Sequence, residues 1–129
     1  MLKYGETMKT ENAVQTKSYA FAVRIVRLYQ YLTHEKKEFV LSKQVLRCGT
    51  SIGANVEEAI GGQSRADFLS KLSIAYKEAR ETSYWLQLLK DTEYITTAQF
   101  NSVQADAEEL CRIIAAIQKT TKGAQSNNS

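Results

Sequence analysis

The sequence predicts an all-α fold, an antiparallel up-and-down four-helix bundle over residues 14–120, from three observations. Four segments repeat apolar residues at spacings of three and four, which stacks them on one helical face. Residues that start and stop helices separate those segments. Proline is absent, which long helices accept but a loop-rich β-fold, using proline in its turns, would not. At 129 residues the chain is the size of one domain and needs no disulfide or metal to hold a core.

The first helix is expected from about Val14 to His34. Phe21, Ile25, Leu28 and Leu32 form its inward stripe, widened by Ala22, Val26 and Tyr29, while Arg24, Arg27 and Tyr31 fall outside it. The second begins near Ser42, an N-cap candidate, and runs to Ile60, with Val45, Ile52, Val56 and Ala59 inward and Cys48 beside them. Gly61-Gly62 is expected to stop it through the left-handed conformation that glycine accepts. Gly49 and Gly53, one turn apart, each cost about 1 kcal/mol relative to alanine inside a helix. The pair fits either close approach by a neighbouring backbone or local tolerance of small residues.

Ser64 caps the third helix, with Asp67 at its positive end, and the helix is expected to reach about Lys90. Phe68, Leu72, Ala75, Ala79, Thr82, Leu86 and Leu89 give it a heptad seam. The fourth opens on Thr96 and Gln99, a capping-box pair, and carries Phe100, Val103, Ala107, Leu110, Ile114 and Ile117. Short connections between such helices force antiparallel neighbours. Polar ends suggest a flexible N-terminus over 1–13 and a disordered tail over 121–129.

Helix 3 carries more apolar surface than one bundle buries. Ile74, Trp85 and Leu88 fall about opposite Leu72 and Ala79, so they are candidate oligomer-interface residues. The competing reading seats helix 3 centrally, with Trp85 closing one end of the core.

The formal net charge is only +3, but it is unevenly spread. Lys9 to Arg47 holds eight basic residues against three acidic ones, whereas Asp91 to Gln118 holds five acidic residues against Arg112 alone. Arg24, Arg27, Lys36, Lys37, Lys43 and Arg47 are therefore the candidate nucleic-acid-binding residues. Tyr19, Tyr29, Tyr31 and Phe39 interleave with them as rings on which bases stack. The competing reading is an ordinary solvated surface.

Nothing in the pattern points to catalysis, a cofactor or a metal. The glutamate pairs on helices 2, 3 and 4 would need two Glu-x-x-His units to hold a di-metal centre, and the one histidine, His34, has Tyr31 three residues before it. Neither Cys48 nor Cys111 stands in a recognisable nucleophile pattern, and both read as reduced core thiols. No phosphate-binding glycine loop is present. No apolar run reaches the roughly 18 residues that span a bilayer, and the polar N-terminus lacks a signal-peptide core, so the expected location is the cytoplasm. Asn55 lies at the edge of the helix 2 stripe between Ser51 and Glu58, where a paired polar group fixes the register of a bundle, with Lys77 or Arg80 as partners for Glu58; the competing reading is ligand binding.

One stretch has a recognisable signature. Ser51-Ile52-Gly53-Ala54-Asn55-Val56-Glu57-Glu58-Ala59 is followed by Ser64-Arg65-Ala66-Asp67-Phe68, then by Lys71-Leu72-Ser73-Ile74-Ala75-Tyr76-Lys77-Glu78-Ala79-Arg80-Glu81-Thr82-Ser83-Tyr84-Trp85-Leu86. Together these resemble the bacterial four-helix bundle proteins of the 23S ribosomal-RNA intervening-sequence family. The resemblance implies a homopentameric, barrel-like ring without enzymatic activity. It is also similar to the accessory variability proteins of diversity-generating retroelements, in which a basic pentamer engages nucleic acid (RNA or DNA) and a protein partner, a reverse transcriptase. The family's Asn and Glu positions correspond to Asn55, Glu58 and Glu81, which are expected to be structural. This chain departs in strength of charge, since +3 with an acidic fourth helix leaves few surplus cations per subunit for phosphate contacts.

Overall fold

The computed structural model describes the backbone of residues 4–127 and the side chains of 13–124. Four helices follow in order: α1 (Tyr4–His34), α2 (Leu41–Ile60), α3 (Arg65–Asp91) and α4 (Thr97–Asn127). The described residues contain no strand. The outer helices overrun the expected limits, α1 by starting at Tyr4 and α4 by continuing to Asn127. Once a helix is anchored by packing, each added residue needs only one more hydrogen bond, and no proline interrupts either end. Residues 1–3 and 128–129 of the expected flexible ends lie outside the described residues.

The seams close as the spacing demands. Phe21, Ile25 and Leu32 of α1, Val45, Ile52 and Val56 of α2, Leu72, Leu86 and Leu89 of α3, and Leu110 and Ile114 of α4 are buried in one core. Each such side chain contributes about 1.5–3 kcal/mol when fully buried. Ser18 and Val14 extend the α1 stripe two turns toward the N-terminus. Two α1 assignments are corrected. Val26 is exposed rather than inward, and Tyr31 is half-buried against the core rather than outside it.

Among the described residues α1 packs on α2 and α4, and α3 packs on α2 and α4, while the diagonal pairs do not meet. The contacts run in crossed order. Gln15 reaches Glu57 whereas Ile25 lies at Gly49; Lys71 reaches Glu58 whereas Arg47 reaches Glu78. Ser73 meets Gln118 while Lys90 lies over Phe100, and Lys17 meets Glu109 while Arg24 meets Asp106.

Gly49 and Gly53 mark close approach. A Cβ on Gly49 would stand 2.7 Å from Ile25 Cγ1, and one on Gly53 would stand 3.2 Å from the Ser18 carbonyl oxygen. Helix ends matched expectation in two cases. The Asp67 N–H donates to Ser64 Oγ at 3.0 Å, and Thr96 and Gln99 form the reciprocal capping pair. Two other ends differ. The α2 N-cap position is Val40, and Glu38 supplies the cap in place of Ser42: its carboxylate accepts the N–H groups of Val40, Leu41 and Ser42 at 3.1, 2.8 and 2.7 Å. A full negative charge at the positive helix end outcompetes a hydroxyl, and Ser42 Oγ instead donates to the Glu38 carbonyl. Gly61 ends α2 at φ −82°, not in the left-handed region. At Gly62 the smallness is what matters, since a Cβ there would stand 2.7 Å from Asp67 Oδ2 and 3.0 Å from the Ala59 carbonyl.

Candidate nucleic-acid interface

The six candidate cations separate into two groups. Arg24 is held by α4, with Nη1 donating to Asp106 Oδ2 at 2.6 Å and to the Ser102 carbonyl at 3.2 Å, and Nη2 to Ser102 Oγ at 2.8 Å. Arg47 is held by α3, pairing with Glu81 and reaching Glu78 at 3.5 Å. Both guanidinium groups therefore have carboxylate partners within the chain, and both side chains stay partly open to solvent.

Arg27, Lys36, Lys37 and Lys43 are exposed and make no ion pair among the described residues. Lys36 and Lys37 lie in the α1–α2 connection, Lys43 is in the first turn of α2, and Arg27 stands two turns before the end of α1. The connection is a built turn. Lys37 takes the left-handed conformation at φ 54°, and the Glu38 N–H returns to the Leu32 carbonyl at 2.9 Å. Glycine or asparagine usually occupies such a position, because a Cβ there costs about 1–2 kcal/mol. The acid that follows is withdrawn. Burial pushes the Glu38 carboxyl upward, but the N–H groups of Leu41, Ser42 and Val40 outweigh this and hold it below the usual carboxylate value. The lysines at this end thus stand beside a carboxylate already committed to the helix terminus. Lys36 lies 5.9 Å from the Tyr31 ring centre, and Phe39 and Val40 project into solvent.

The three expected interface residues sit at unequal depths. Ile74 is 38% exposed, whereas Leu88 and Trp85 are half-buried. Trp85 packs against the core, its indole N–H donates to Glu81 Oε2 at 3.0 Å, and its ring meets Tyr84 edge-on at 5.1 Å. That indole first, and Arg47 with it, hold the Glu81 carboxyl below its usual value against partial burial. The sequence reading missed Tyr84, which is 61% exposed beside Trp85. It also missed a patch on α1, where Tyr19 is 72%, Val23 40% and Val26 38% exposed along a shallow groove of about 320 Å³ that Ala22 also lines. A signal was available: positions 19, 23, 26 and 30 repeat at four, three and four, a second stripe beside the inward one.

The polar positions of α2 pair locally. Asn55 Nδ2 donates to the Ser51 carbonyl at 2.9 Å and to Ser51 Oγ at 3.0 Å, within its own helix. Glu58 meets Lys71 at 3.2 Å, not Lys77 or Arg80, because Lys71 lies within the first two turns of α3, across from the end of α2. Cys48 is buried and Cys111 half-buried, both are free thiols, and burial raises both above the ordinary thiol value. No cluster of three or more His, Cys, Asp or Glu forms a metal-ligand set among the described residues. None of the described helices is long and apolar enough to cross a membrane.

Comparison with known proteins agrees with the signature and architecture. No curated protein matches the chain. A crystal structure of a Bacteroides thetaiotaomicron protein of unknown function, from the S23 ribosomal protein family, is similar at 57% identity and a TM-score of 0.85. The match covers 85% of this chain and 98% of that one. The profile of the 23S rRNA-intervening sequence proteins matches residues 10–116, and the chain belongs to that family.

Proposed function

We propose that this chain is a non-enzymatic adapter: an antiparallel, up-and-down bundle that associates with copies of itself and presents a basic end to RNA or DNA. The observation that carries this reading is the group Lys36, Lys37 and Lys43, exposed and without a carboxylate partner among the described residues. Holding a lysine at a left-handed position costs about 1–2 kcal/mol, and an outlier of that kind is a reason to look for a use. The crossed order of interhelical contacts supports the antiparallel arrangement. Asn55, Glu58 and Glu81 act as structural groups in this account, since each already has a partner within the chain.

Three lysines on one chain bind weakly, and repetition in an oligomer multiplies them by avidity. The homopentamer expected from the family resemblance would supply that repetition. The test is retention of labelled single-stranded RNA and DNA by wild type and by the triple variant Lys36→Glu/Lys37→Glu/Lys43→Glu, with oligomer size followed by light scattering. The expected result is binding at low salt that falls at least tenfold in the variant while the oligomer persists. Equal binding by both proteins would overturn the reading. Arg47→Glu is unsuitable for this purpose, because it would set a third carboxylate beside Glu78 and Glu81.

A second reading, a scaffold for another polypeptide with no nucleic-acid role, is favoured by the exposed apolar residues of α1 and α3. Monomeric protein with those faces free would support it.

A further inference from the structure

Positions 80, 83 and 87 of α3 and 104, 108 and 111 of α4 follow helical spacing, each set flanking the buried stripe of its helix. Ser73 meets Gln118 and Lys90 lies over Phe100, so the two flanks face each other in crossed order. Gln87 then falls opposite Gln104, and Arg80 opposite Cys111. A groove of about 530 Å³ opens along this line, with Arg80, Tyr84 and Gln87 on one wall and Gln104, Glu108 and Arg112 on the other. Its volume is that of a small-ligand site.

Three features of the groove call for an occupant. Gln104 Nε2 donates to Glu108 Oε1 at 3.2 Å, and a carboxylate only accepts, so the orientation of the amide is fixed. Gln104 Oε1 is consequently buried with no donor among the described residues, a state that costs about 1–3 kcal/mol. Arg80 and Arg112 are exposed and form no ion pair among the described residues. Burial raises the Cys111 thiol, and the charges of Arg80 and Arg112 pull against that rise, so both guanidinium groups stand near one sulfur. The third feature is the Tyr84 ring, 61% exposed at the edge of the same groove.

We propose that this groove binds a guanine nucleotide, its phosphate on Arg80 and Arg112 and its base edge on Gln104 and Glu108. A guanidinium fork matches phosphate oxygens, and two forks converging from separate helices suit a phosphate better than a single carboxylate. Gln104 and Arg112 stand just over two turns apart on α4, about 12 Å. That separation fits a nucleoside monophosphate from its phosphate to the far edge of its base, whereas a single amino acid is too short.

The acceptors select the base. Gln104 Oε1 and the Glu108 carboxylate can only accept, so the edge that meets them must donate. Guanine offers N1–H and its amine side by side, whereas adenine sets an acceptor nitrogen beside its amine and would turn a lone pair toward Glu108. Tyr84 supplies a ring face against which a base stacks. Gln87, exposed and opposite Gln104, is free to swing aside as the base enters. Glu108 is tied to Gln104 and lies one turn from Arg112, which leaves the cationic end of the groove to the phosphate. The site shares no residue with the Lys36, Lys37 and Lys43 group and does not rest on the function proposed above.

Calorimetric titration of guanosine monophosphate, adenosine monophosphate and inorganic phosphate tests the site. Each is titrated into wild type and into the Lys36→Glu/Lys37→Glu/Lys43→Glu variant. Guanosine monophosphate is expected to bind both proteins alike, and at least about tenfold more tightly than the other two, a loss in keeping with missing hydrogen bonds to a charged group. Arg80→Ala/Arg112→Ala should weaken it at least about tenfold, and Gln104→Leu should erase the preference for guanine, with helix content by circular dichroism unchanged in each. A 5′-phosphorylated single strand opening on guanosine, titrated into the lysine variant, distinguishes the source of the nucleotide. Tighter binding than the free nucleotide assigns the site to a strand end, and weaker binding assigns it to the free nucleotide. Failure of both to bind at millimolar concentration would overturn the proposal. Equal affinity for the guanine and adenine nucleotides would overturn it as well, and so would binding lost in the lysine variant or kept in the arginine variant.

Discussion

The two sides of α1 are built on different principles. Toward α2 the backbones close up on Gly49 and Gly53, with Ile25 and Ser18 filling the space their side chains would take. Toward α4 the outer edge is bridged by Lys17–Glu109 and Arg24–Asp106, with all four side chains between 40% and 46% exposed. Close apolar contact is unforgiving of added volume, whereas solvated ion pairs contribute about 0–1 kcal/mol each. The glycine seam therefore holds α1 in place, and the polar seam pairs the Lys17 and Arg24 cations at the surface.

This contrast makes graded predictions. Gly49→Val is expected to have the largest effect, a loss of about 3 kcal/mol in chemical denaturation, because the added carbons overlap the branched Ile25 side chain. A loss under about 0.5 kcal/mol would mean that the α1–α2 seam has room to spread. Glu38→Ala comes next, at about 1–2 kcal/mol, since it leaves the first N–H groups of α2 uncapped. Because the Glu38 carboxyl is held below its usual value in the folded chain, its contribution is fully present above the unfolded carboxylate value, near 4.3, and disappears as the pH falls through the folded one. The stability difference between wild type and Glu38→Ala should accordingly shrink in acid and stay flat above about pH 5. A difference unchanged at pH 2–3 would show that Glu38 acts by packing alone.

Lys37→Gly should move stability the other way, raising it by up to about 1 kcal/mol by relieving the left-handed backbone, while nucleic-acid binding weakens. Unchanged binding would remove Lys37 from the basic end. Arg24→Ala should have the smallest effect, under about 1 kcal/mol, and should leave nucleic-acid binding unchanged. A binding loss as large as that of the lysine variants would show that the Asp106 pair opens to admit a phosphate.

The helices were legible because their signal is local and periodic. Leu72, Ala79, Leu86 and their counterparts on α4 are buried where spacing put them, and Ser64 and Thr96 cap where their own chemistry says they should. What sequence could not supply was competition between elements. Ser42 looked like a cap until Glu38, four residues earlier, brought a stronger acceptor to the same N–H groups. Val26 looked like an extension of the inward stripe, yet at about 100° per residue it falls with Tyr19 and Val23 on the exposed second stripe. The ion pairs of Arg24 and Arg47 were hidden for the same reason: their carboxylate partners lie 82 and 34 positions away and meet them only after folding. The basic region was thus legible in the sequence, but not which of its candidate cations stand without a carboxylate partner among the described residues: Arg27, Lys36, Lys37 and Lys43.

The central proposal is that nucleic-acid affinity belongs to the basic end as repeated in an oligomer and not to one chain. Salt titration of single-stranded RNA binding tests it most directly, with wild type compared with the exposed-face variant Val23→Glu, which is expected to be monomeric. For single strands the logarithm of affinity falls with the logarithm of salt at a slope of about 0.7 per neutralised phosphate, so four cations of one chain allow a slope of about 3. The account predicts a clearly steeper slope for wild type and a shallow slope, with weak binding, for Val23→Glu. Equal slopes at or below about 3 for both proteins would contradict it.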